Sequence, residues 1–234
     1  MTEQYNETIA HHYAAYRPPL HQLILSKVLS EADHYENGLD VGCGTGYSSI
    51  ALAKYCQQVC GVDPGHSMLE KATPHEKIIY MEGTGENIPL EDHSVDIVTF
   101  AGVLFYTKLD ILVAELKRVC KPNTILIAYD FDILLDDLSQ QFGIPISKAM
   151  SDYDHSSNFS SISDFLELIV EVQEVSLEAS AIEIAHILLS DSHRYDAFSN
   201  KYQISNPFQL LVDDLSKTHH SLKANIFFSK YQPA

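Results

Sequence analysis

Arginine is scarce in this chain: among 234 residues only Arg17, Arg118 and Arg194 carry a guanidinium. Acids outnumber Lys and Arg by 32 to 15, for a formal net charge of -17 at pH 7. Three scattered arginines cannot line a continuous basic groove, and a broadly negative surface repels polyanions. Nucleic acid and acidic membranes are therefore excluded as partners. Cysteine is sparse as well: Cys43, Cys56, Cys60 and Cys120 form no CxxC pair. Cys56 and Cys60 stand four apart, as half a metal site would, but small apolar fillers in a reducing compartment are the favoured reading, and no metal is expected. No apolar run approaches the ~20 residues that cross a bilayer. The opening MTEQYNETIAHHY has neither the basic start nor the apolar core of a secretion signal. A cytoplasmic protein is expected, monomeric or a weak dimer.

What is present suits one globular domain, since 45% of the residues are hydrophobic and no repeat or linker divides the chain. Asn6 is positioned to cap a helix through ETIAHHYAAY, Pro18 and Pro19 interrupt it, and Leu20, Leu23, Ile24 and Val28 form a stripe at helical spacing. Strands then alternate with helices. GLDV, QVCGVD, KIIYM, VDIVTFAG and TILIAYDF read as strands, while SSIALAKYC, SMLEKA and KLDILVAELKRVC read as helices. That alternation implies an α/β fold with a parallel sheet covered on both faces. Beyond Asp130 the beat fails. A short helix is expected there, then a polar, aromatic and serine-rich stretch that reads as an insertion or lid. A helix from near Ser163, a strand VQEVSLEA, a helix AIEIAHILLS and a last strand LKANIFFSK complete the reading.

The segment LDVGCGTGYSS, residues 39–49, places Gly42, Gly44 and Gly46 behind an expected strand. At such a strand, loop and helix junction, glycines permit positive φ and let a ligand approach the backbone. Two ligands compete. Gly42, Gly44 and an acid about 20 residues on, Asp63, resemble the start of a dinucleotide fingerprint. However, the third glycine of that pattern would fall at Tyr47, which would set a phenol against the helix and sheet contact that a glycine normally opens.

LDVGCGTG, GVDPGHSML, GTGENIPLEDHSVDIVTFAG and ELKRVCKPNTILIAYDF, in that order over roughly residues 38–131, together resemble the Rossmann-like S-adenosylmethionine-dependent methyltransferases of the small-molecule branch. YAAYRPPLHQLI is similar to the N-terminal segment of the trans-aconitate methyltransferase-like members. The resemblance implies a doubly wound sheet, mostly parallel with one antiparallel C-terminal strand and helices on both faces. It further implies a single domain: an N-terminal helical cap over 1–36, a cofactor-binding core over 37–130, an insertion over 131–162 and the rest of the sheet over 163–234.

It also implies a site for S-adenosylmethionine. Asp63 would accept the ribose hydroxyls, and Asp40 would hold the methionine ammonium directly or through water. The loop Gly42, Cys43, Gly44, Thr45 and Gly46 would pass under methionine and ribose, with Pro64 or Gly65 shaping the way in and Met68 packing on adenine. Where the family commonly has GDAE this chain has GTGE, so Thr84 replaces the acid that takes the adenine amino group. Gly85 would present its amide, with Glu86 behind it. Phe100 and Ala101 would meet the methionine end, and Arg17 its carboxylate. CKPNT replaces the family's LKPGG turn, with Asn123 tolerating left-handed geometry in place of a glycine.

Methyl transfer requires alignment more than a fixed set of catalytic groups, and no catalytic residue is assigned. Tyr106, Tyr129, Asp130 and His155 are placed by topology to face an acceptor, His155 being the natural proton acceptor; Arg194 is the cation available to a carboxylate-bearing one. The acceptor is expected to be a small molecule. FAGV stands where base-flipping methyltransferases carry an NPPY-like tetrapeptide. Asp132 and Asp136 share a helix face but read as solvated rather than metal-binding. A nicotinamide-dependent oxidoreductase and a non-catalytic S-adenosylmethionine-binding protein are the alternatives.

Overall fold

The expected alternation of strands and helices appears in the computed structural model, which describes residues 7–9, 11–12, 15–144 and 152–234. Residues 7–9, 11 and 12 are helical, while the expected cap at Asn6 lies outside the described residues. The helix is lost around Pro18 and resumes as α1 (Leu20–Val28), which buries Leu20, Ile24, Leu25 and Val28 on one stripe. Proline has no N–H to donate, so the break falls where the sequence puts it.

From there the chain runs β1 (Tyr35–Val41), α2 (Tyr47–Leu52), β2 (Cys56–Asp63), α3 (His66–Leu69), β3 (Ile78–Glu82) and β4 (Val95–Ala101). A single turn of 3-10 helix (Leu104–Tyr106) leads to α4 (Leu109–Val119) and β5 (Cys120–Leu134). Then come α5 (Asp136–Gln141), β6 (Phe165–Glu178), α6 (Ala181–Leu189), α7 (Ser192–Tyr202), α8 (Phe208–Leu215) and β7 (Ser221–Pro233). The seven strands lie in the order β3-β2-β1-β4-β5-β7-β6. Pairings β1 to β2, β1 to β4, β2 to β3 and β4 to β5 are parallel, and the antiparallel pairing lies at the C-terminal strands. Because β1 has β2 on one side and β4 on the other, the connections after β1 and β4 leave in opposite directions. A crevice opens at their carboxyl ends, the place where ligands bind open α/β sheets.

Two compact units are present. One comprises Pro19–Phe131, Tyr153–Gln173 and Ile226–Ala234; the other comprises Met1–Pro18, Asp132–Asp152 and Glu174–Asn225. The core of the first, the sheet unit, is built from Leu39, Val41, Val62, Val98, Phe100 and Leu126 of the central strands and from Leu112, Leu116 and Val119 of α4. Those α4 positions fall at i, i+4 and i+7, and Asp110 near its start with Lys117 and Arg118 near its end complement the helix dipole. The second, helical unit has its own core, which includes Ile184, Leu188, Phe198, Leu211 and Leu215. Its helix α6 begins with a full capping box, in which Ser180 and Glu183 satisfy each other's backbone N–H.

Three expectations are corrected, and two helices were not foreseen. Asp132 lies in β5 and Asp136 opens α5, so the two do not share a helix face. No helix starts near Ser163: Leu166, Leu168, Val170 and Val172 stand on one exposed face of β6, a period of two rather than 3.6. CKPNT is not a turn with a left-handed Asn123. Val95 pairs with Cys120 and Ile97 with Ile125, so the extra residues are absorbed as an irregularity inside β5. There the buried Thr124 Oγ1 lies 2.7 Å from the carbonyl of Val95 and 2.8 Å from that of Lys121, and Asn123 has no positive φ. Finally, α7 and α8 were not foreseen, although Phe208, Leu211, Val212 and Leu215 in α8 carry the i, i+3, i+4, i+7 spacing of a helix.

Candidate functional site

The glycine loop leaves β1 at the switch point of the sheet. Gly42, Gly44 and Gly46 have φ of 71°, 53° and 90°, all left-handed, which only glycine adopts without cost. Their surroundings differ. A Cβ on Gly42 would stand 2.4 Å from Val103 Cγ1, and one on Gly46 would stand 2.1 Å from Tyr80 Oη. These two glycines are required by the protein's own packing. A Cβ on Gly44 would meet only Met68 Cε, at 3.5 Å. The space over Gly44 is therefore an open cradle roofed by a flexible thioether.

Asp63, the last residue of β2, holds this cradle in shape. Its Oδ2 accepts from Gly44 N at 2.9 Å and its Oδ1 from Gly65 N at 2.7 Å. Each carboxylate oxygen accepts more than one hydrogen bond, so capacity remains for a ligand. Pro64 is exposed beside it, and Met68 is 42% exposed. Asp40 lies beneath the loop with no exposed surface. Ser48 Oγ and Ser49 Oγ each donate to its Oδ2 at 2.6 Å, and Thr99 Oγ1 donates to its Oδ1 at 2.8 Å. Burial pushes its pKa up, the three hydroxyls pull it back, and the charge of Asp63 adds to the rise. Asp40 thus fixes the start of α2 to β1 and β4. Cys43 is buried, and its thiol is held far above the ordinary range by burial and then by Asp40. Thr45 accepts from Thr73 N through its carbonyl at 3.1 Å.

Tyr47 does not occupy the helix and sheet contact expected of it: it is 42% exposed at the first turn of α2, and the close approach is made at Gly46 instead. Thr84 and Asn87 close a tight turn around Gly85 and Glu86. Glu86 Oε1 accepts from Lys108 N, the cap of α4, at 2.9 Å, and that bond lowers its pKa. Its carboxylate therefore serves the helix start. Phe100 sits in the core with its ring 5.2 Å from that of Phe159, so only backbone can reach a ligand from this position. Ala101 is half-buried at the end of β4.

A second group of side chains gathers past β4 and β5. His155 Nδ1 and Tyr153 Oη both lie 2.8 Å from Asp130 Oδ2, while Asp130 Oδ1 accepts from Phe131 N at 2.8 Å. Tyr153 Oη is also 2.9 Å from the carbonyl of Gly102, a residue of φ 67° on which a Cβ would stand 3.1 Å from Asp130 Oδ1. Tyr129 is buried, its hydroxyl 3.1 Å from His21 Nδ1, and Tyr106 is 75% exposed. Tyr153 was missed by sequence reasoning; its place two residues before His155 was the available signal. Arg17 and Arg194 fall in the helical unit. Arg194 is engaged in α7, where Nε donates to the Leu188 carbonyl at 3.2 Å and lies 4.0 Å from Asp191 Oδ1. Among the described residues no group of three or more His, Cys, Asp or Glu is arranged to hold a metal.

A mostly parallel seven-stranded sheet with an acid-clamped glycine loop at its switch point is the Rossmann-like architecture. Within it, residues 39–128 match the family described as a methyltransferase domain. The chain is 28% identical over 128 residues to a provisionally named methyltransferase of Dictyostelium discoideum, covering 54% of this chain and 49% of that protein. It is 37% identical over 101 residues to a demethylmenaquinone methyltransferase of Staphylococcus aureus, covering 39% and 42%. The chain thus spans about half the length of the curated relatives it matches. Among solved structures, a provisionally named type II methyltransferase of Anaeromyxobacter dehalogenans superposes with a TM-score of 0.63 at 20% identity, covering 93% of this chain and 98% of that one. The YcgJ protein of Bacillus subtilis gives 0.57 at 17%, covering 92% and 99%. At these identities the likeness is one of fold. The chain thus has the Rossmann-like fold, and residues 39–128 of it resemble a methyltransferase domain. No helix among the described residues is long and apolar enough to cross a membrane.

Proposed function

We propose that the whole chain is an S-adenosylmethionine-dependent methyltransferase acting on a small-molecule acceptor. The observation that carries this reading is the open cradle over Gly44, clamped by Asp63 and roofed by Met68, inside the matched domain. The donor set fits the group: a half-buried carboxylate for two ribose hydroxyls, a thioether for an adenine face, and backbone of positive φ beneath. Among the described residues Asp63 is paired with backbone N–H groups rather than with a Lys or Arg, which suits a cofactor that brings its own positive charge and no phosphate. Asp40, fully buried and held by three hydroxyls, acts through the shape of the loop rather than by touching the ligand. Thr84 and the amide of Gly85 stand in for the usual adenine-binding acid.

When bound, S-adenosylmethionine supplies an electrophilic methyl group on a sulfonium sulfur. The chain's own tasks are to align an acceptor with that methyl and to exclude water. The acidic balance, with a net charge of -17, favours a small acceptor over a nucleic acid. The similarity to a demethylmenaquinone methyltransferase favours a planar ring. Titration calorimetry with S-adenosylhomocysteine, run beside NADH, tests the reading. Saturable binding of the first alone is expected; no binding of S-adenosylhomocysteine, or preference for NADH, would overturn it.

A further inference from the structure

Within the sheet unit, the side chains past β4 and β5 form a proton-handling arrangement that nothing in the cofactor cradle requires. The carboxylate of Asp130 can only accept, so the 2.8 Å contact from His155 Nδ1 places a proton on Nδ1. The neutral ring then carries its lone pair on Nε2, and among the described residues no hydrogen bond occupies that nitrogen. The side chain is 34% exposed, so Nε2 is open to a ligand rather than sealed in the core. A carboxylate that fixes the tautomer and turns the free nitrogen outward is the arrangement that a general base needs.

The neighbouring hydroxyls are poorer candidates. Tyr129 is fully buried, with its pKa well above the ordinary value because of that burial. Tyr153 is raised by burial and then by its bond to Asp130, so it stays a neutral donor that steadies the carboxylate. Tyr106 is 75% exposed, and its ring packs on those of Phe105 and Tyr153 rather than on Asp130.

The surroundings describe what the base would act on. Phe105 packs on Tyr153 with ring centres 5.0 Å apart, Tyr106 on Tyr153 at 5.5 Å, Tyr153 on His155 at 4.7 Å, and Phe227 stacks on His155 at 5.7 Å and 13°. This is a continuous aromatic shelf, exposed at its Phe105 and Tyr106 end, with the imidazole near its middle. Beneath it, a cavity of about 10 Å³ between Gly102, Val103, Asp130, Tyr153 and His155 has room for no more than one water. Val103 also fills the space that a Cβ on Gly42 would take, so a single side chain separates this group from the glycine loop.

We propose that His155, positioned by Asp130, is the proton acceptor for an aromatic acceptor bearing a hydroxyl group, a phenol-type ring that lies on the Phe105, Tyr106 and Tyr153 shelf. This rests on the methyltransferase reading above. As the phenol oxygen forms its bond to the methyl carbon, the carbon–sulfur bond of the donor breaks and its electron pair stays on sulfur as a thioether. The O–H proton passes to His155 Nε2, the imidazolium is held by the charge of Asp130, and the proton then leaves to water. His155 touches the reacting hydroxyl; Asp130 is a positioning residue.

The test uses the full chain with and without S-adenosylhomocysteine, and 4-nitrophenol as the probe, because its phenolate absorbs in the visible. The phenolate fraction is compared with that of free probe below the probe's own pKa. Bound probe is expected to be ionised roughly threefold or more above free probe. His155→Gln, which keeps a donor toward Asp130 but has no basic nitrogen, is expected to lose the enhancement while S-adenosylhomocysteine binds as before. Asp130→Asn is expected to lose part of it, and long-range nitrogen–proton NMR is expected to show His155 leaving the Nδ1–H form. An enhancement that survives His155→Gln, a native His155 with its proton on Nε2, or a probe that does not bind would each overturn the proposal. Should native chain fail to bind S-adenosylhomocysteine, the cofactor reading falls, and the phenolate signal in its absence still judges His155.

Discussion

If Gly46 is needed by Tyr80 and Gly44 by a ligand, alanine at the two positions must fail in different ways. At Gly44, φ is 53° and a methyl would meet only Met68 Cε at 3.5 Å, so the folded protein bears mainly the left-handed strain. That strain is ~1–2 kcal/mol, offset by ~0.4–1 kcal/mol because alanine restricts the unfolded chain, leaving about 1 kcal/mol. At Gly46, φ is 90° and the methyl would stand 2.1 Å from Tyr80 Oη and 2.7 Å from Cζ. Tyr80 cannot swing away freely, since its hydroxyl donates to the Thr73 carbonyl at 3.0 Å and Thr73 N donates to Thr45 at 3.1 Å. Overpacking adds ~1–3 kcal/mol, for a total of about 2–4 kcal/mol.

In thermal unfolding, with ~2–4 °C per kcal/mol at this chain length, Gly44→Ala should lower the midpoint by about 3 °C and Gly46→Ala by about 5–15 °C. Binding should invert the ranking of what matters. The Gly44 methyl stands where the cofactor would lie, so calorimetry with S-adenosylhomocysteine should show about a tenfold to hundredfold loss, the equivalent of that same overpacking cost. Adding Tyr80→Phe to Gly46→Ala removes the 2.1 Å contact and leaves the ring carbon at 2.7 Å, so a double-mutant cycle should recover part of the stability but not all. Native affinity in Gly44→Ala would refute the cradle. Equal melting shifts at the two positions would refute the packing role of Gly46.

Three further outcomes follow from other contacts. Asp63→Ala removes the acceptor for Gly44 N and Gly65 N and should weaken S-adenosylhomocysteine by ~1.5–3 kcal/mol, the range of a charged hydrogen bond; unchanged affinity by calorimetry would remove Asp63 from the site. Asp40 has its folded pKa raised from 3.8, chiefly by burial. Its favourable contribution is therefore fully present below about 3.8 and is lost as pH rises through the folded value. Asp40→Asn has no such titration, so its urea midpoint should gain on the native protein across that window and run parallel above it; a constant gap would contradict the shift. Thr124→Val deprives the β5 irregularity of a hydroxyl shared between Val95 and Lys121, and should cost about 1–3 kcal/mol in urea unfolding.

Much of the sheet was legible because its signals are local. Apolar runs such as Val95–Ala101 are strands buried on both faces, and Asp63 followed by Pro64 and Gly65 marks a strand end wherever it sits. The failures share a cause. β6 carries Leu166, Leu168, Val170 and Val172 on an exposed face, so the usual inference from apolar to buried gave no guide to its period. CKPNT looked like a turn because Lys, Pro and Asn punctuate it. Yet the sheet absorbs it: besides the Lys121 carbonyl, Thr124 finds a partner on β4, 29 residues back at Val95, which no window of a few residues contains.

The glycines show where a motif stops being informative. Three glycines in five residues were tied to the close approach of a ligand, but the motif does not name what approaches. Gly42 is answered by Val103 from the loop after β4, Gly46 by Tyr80 from β3, and Gly44 alone by open space. Two of the three would stand in a protein that bound nothing at this loop. The same reasoning applies to Asp40 and Asp63, two acids ending neighbouring strands and indistinguishable by residue type. One is enclosed by Ser48, Ser49 and Thr99; the other keeps acceptor capacity at the rim. Burial, which depends on residues far along the chain, assigns the first to architecture and leaves the second within reach of a ligand. Since the methyltransferase reading rests on the second kind of residue, Gly44 and Asp63 carry more of its weight than the number of matching motif positions suggests.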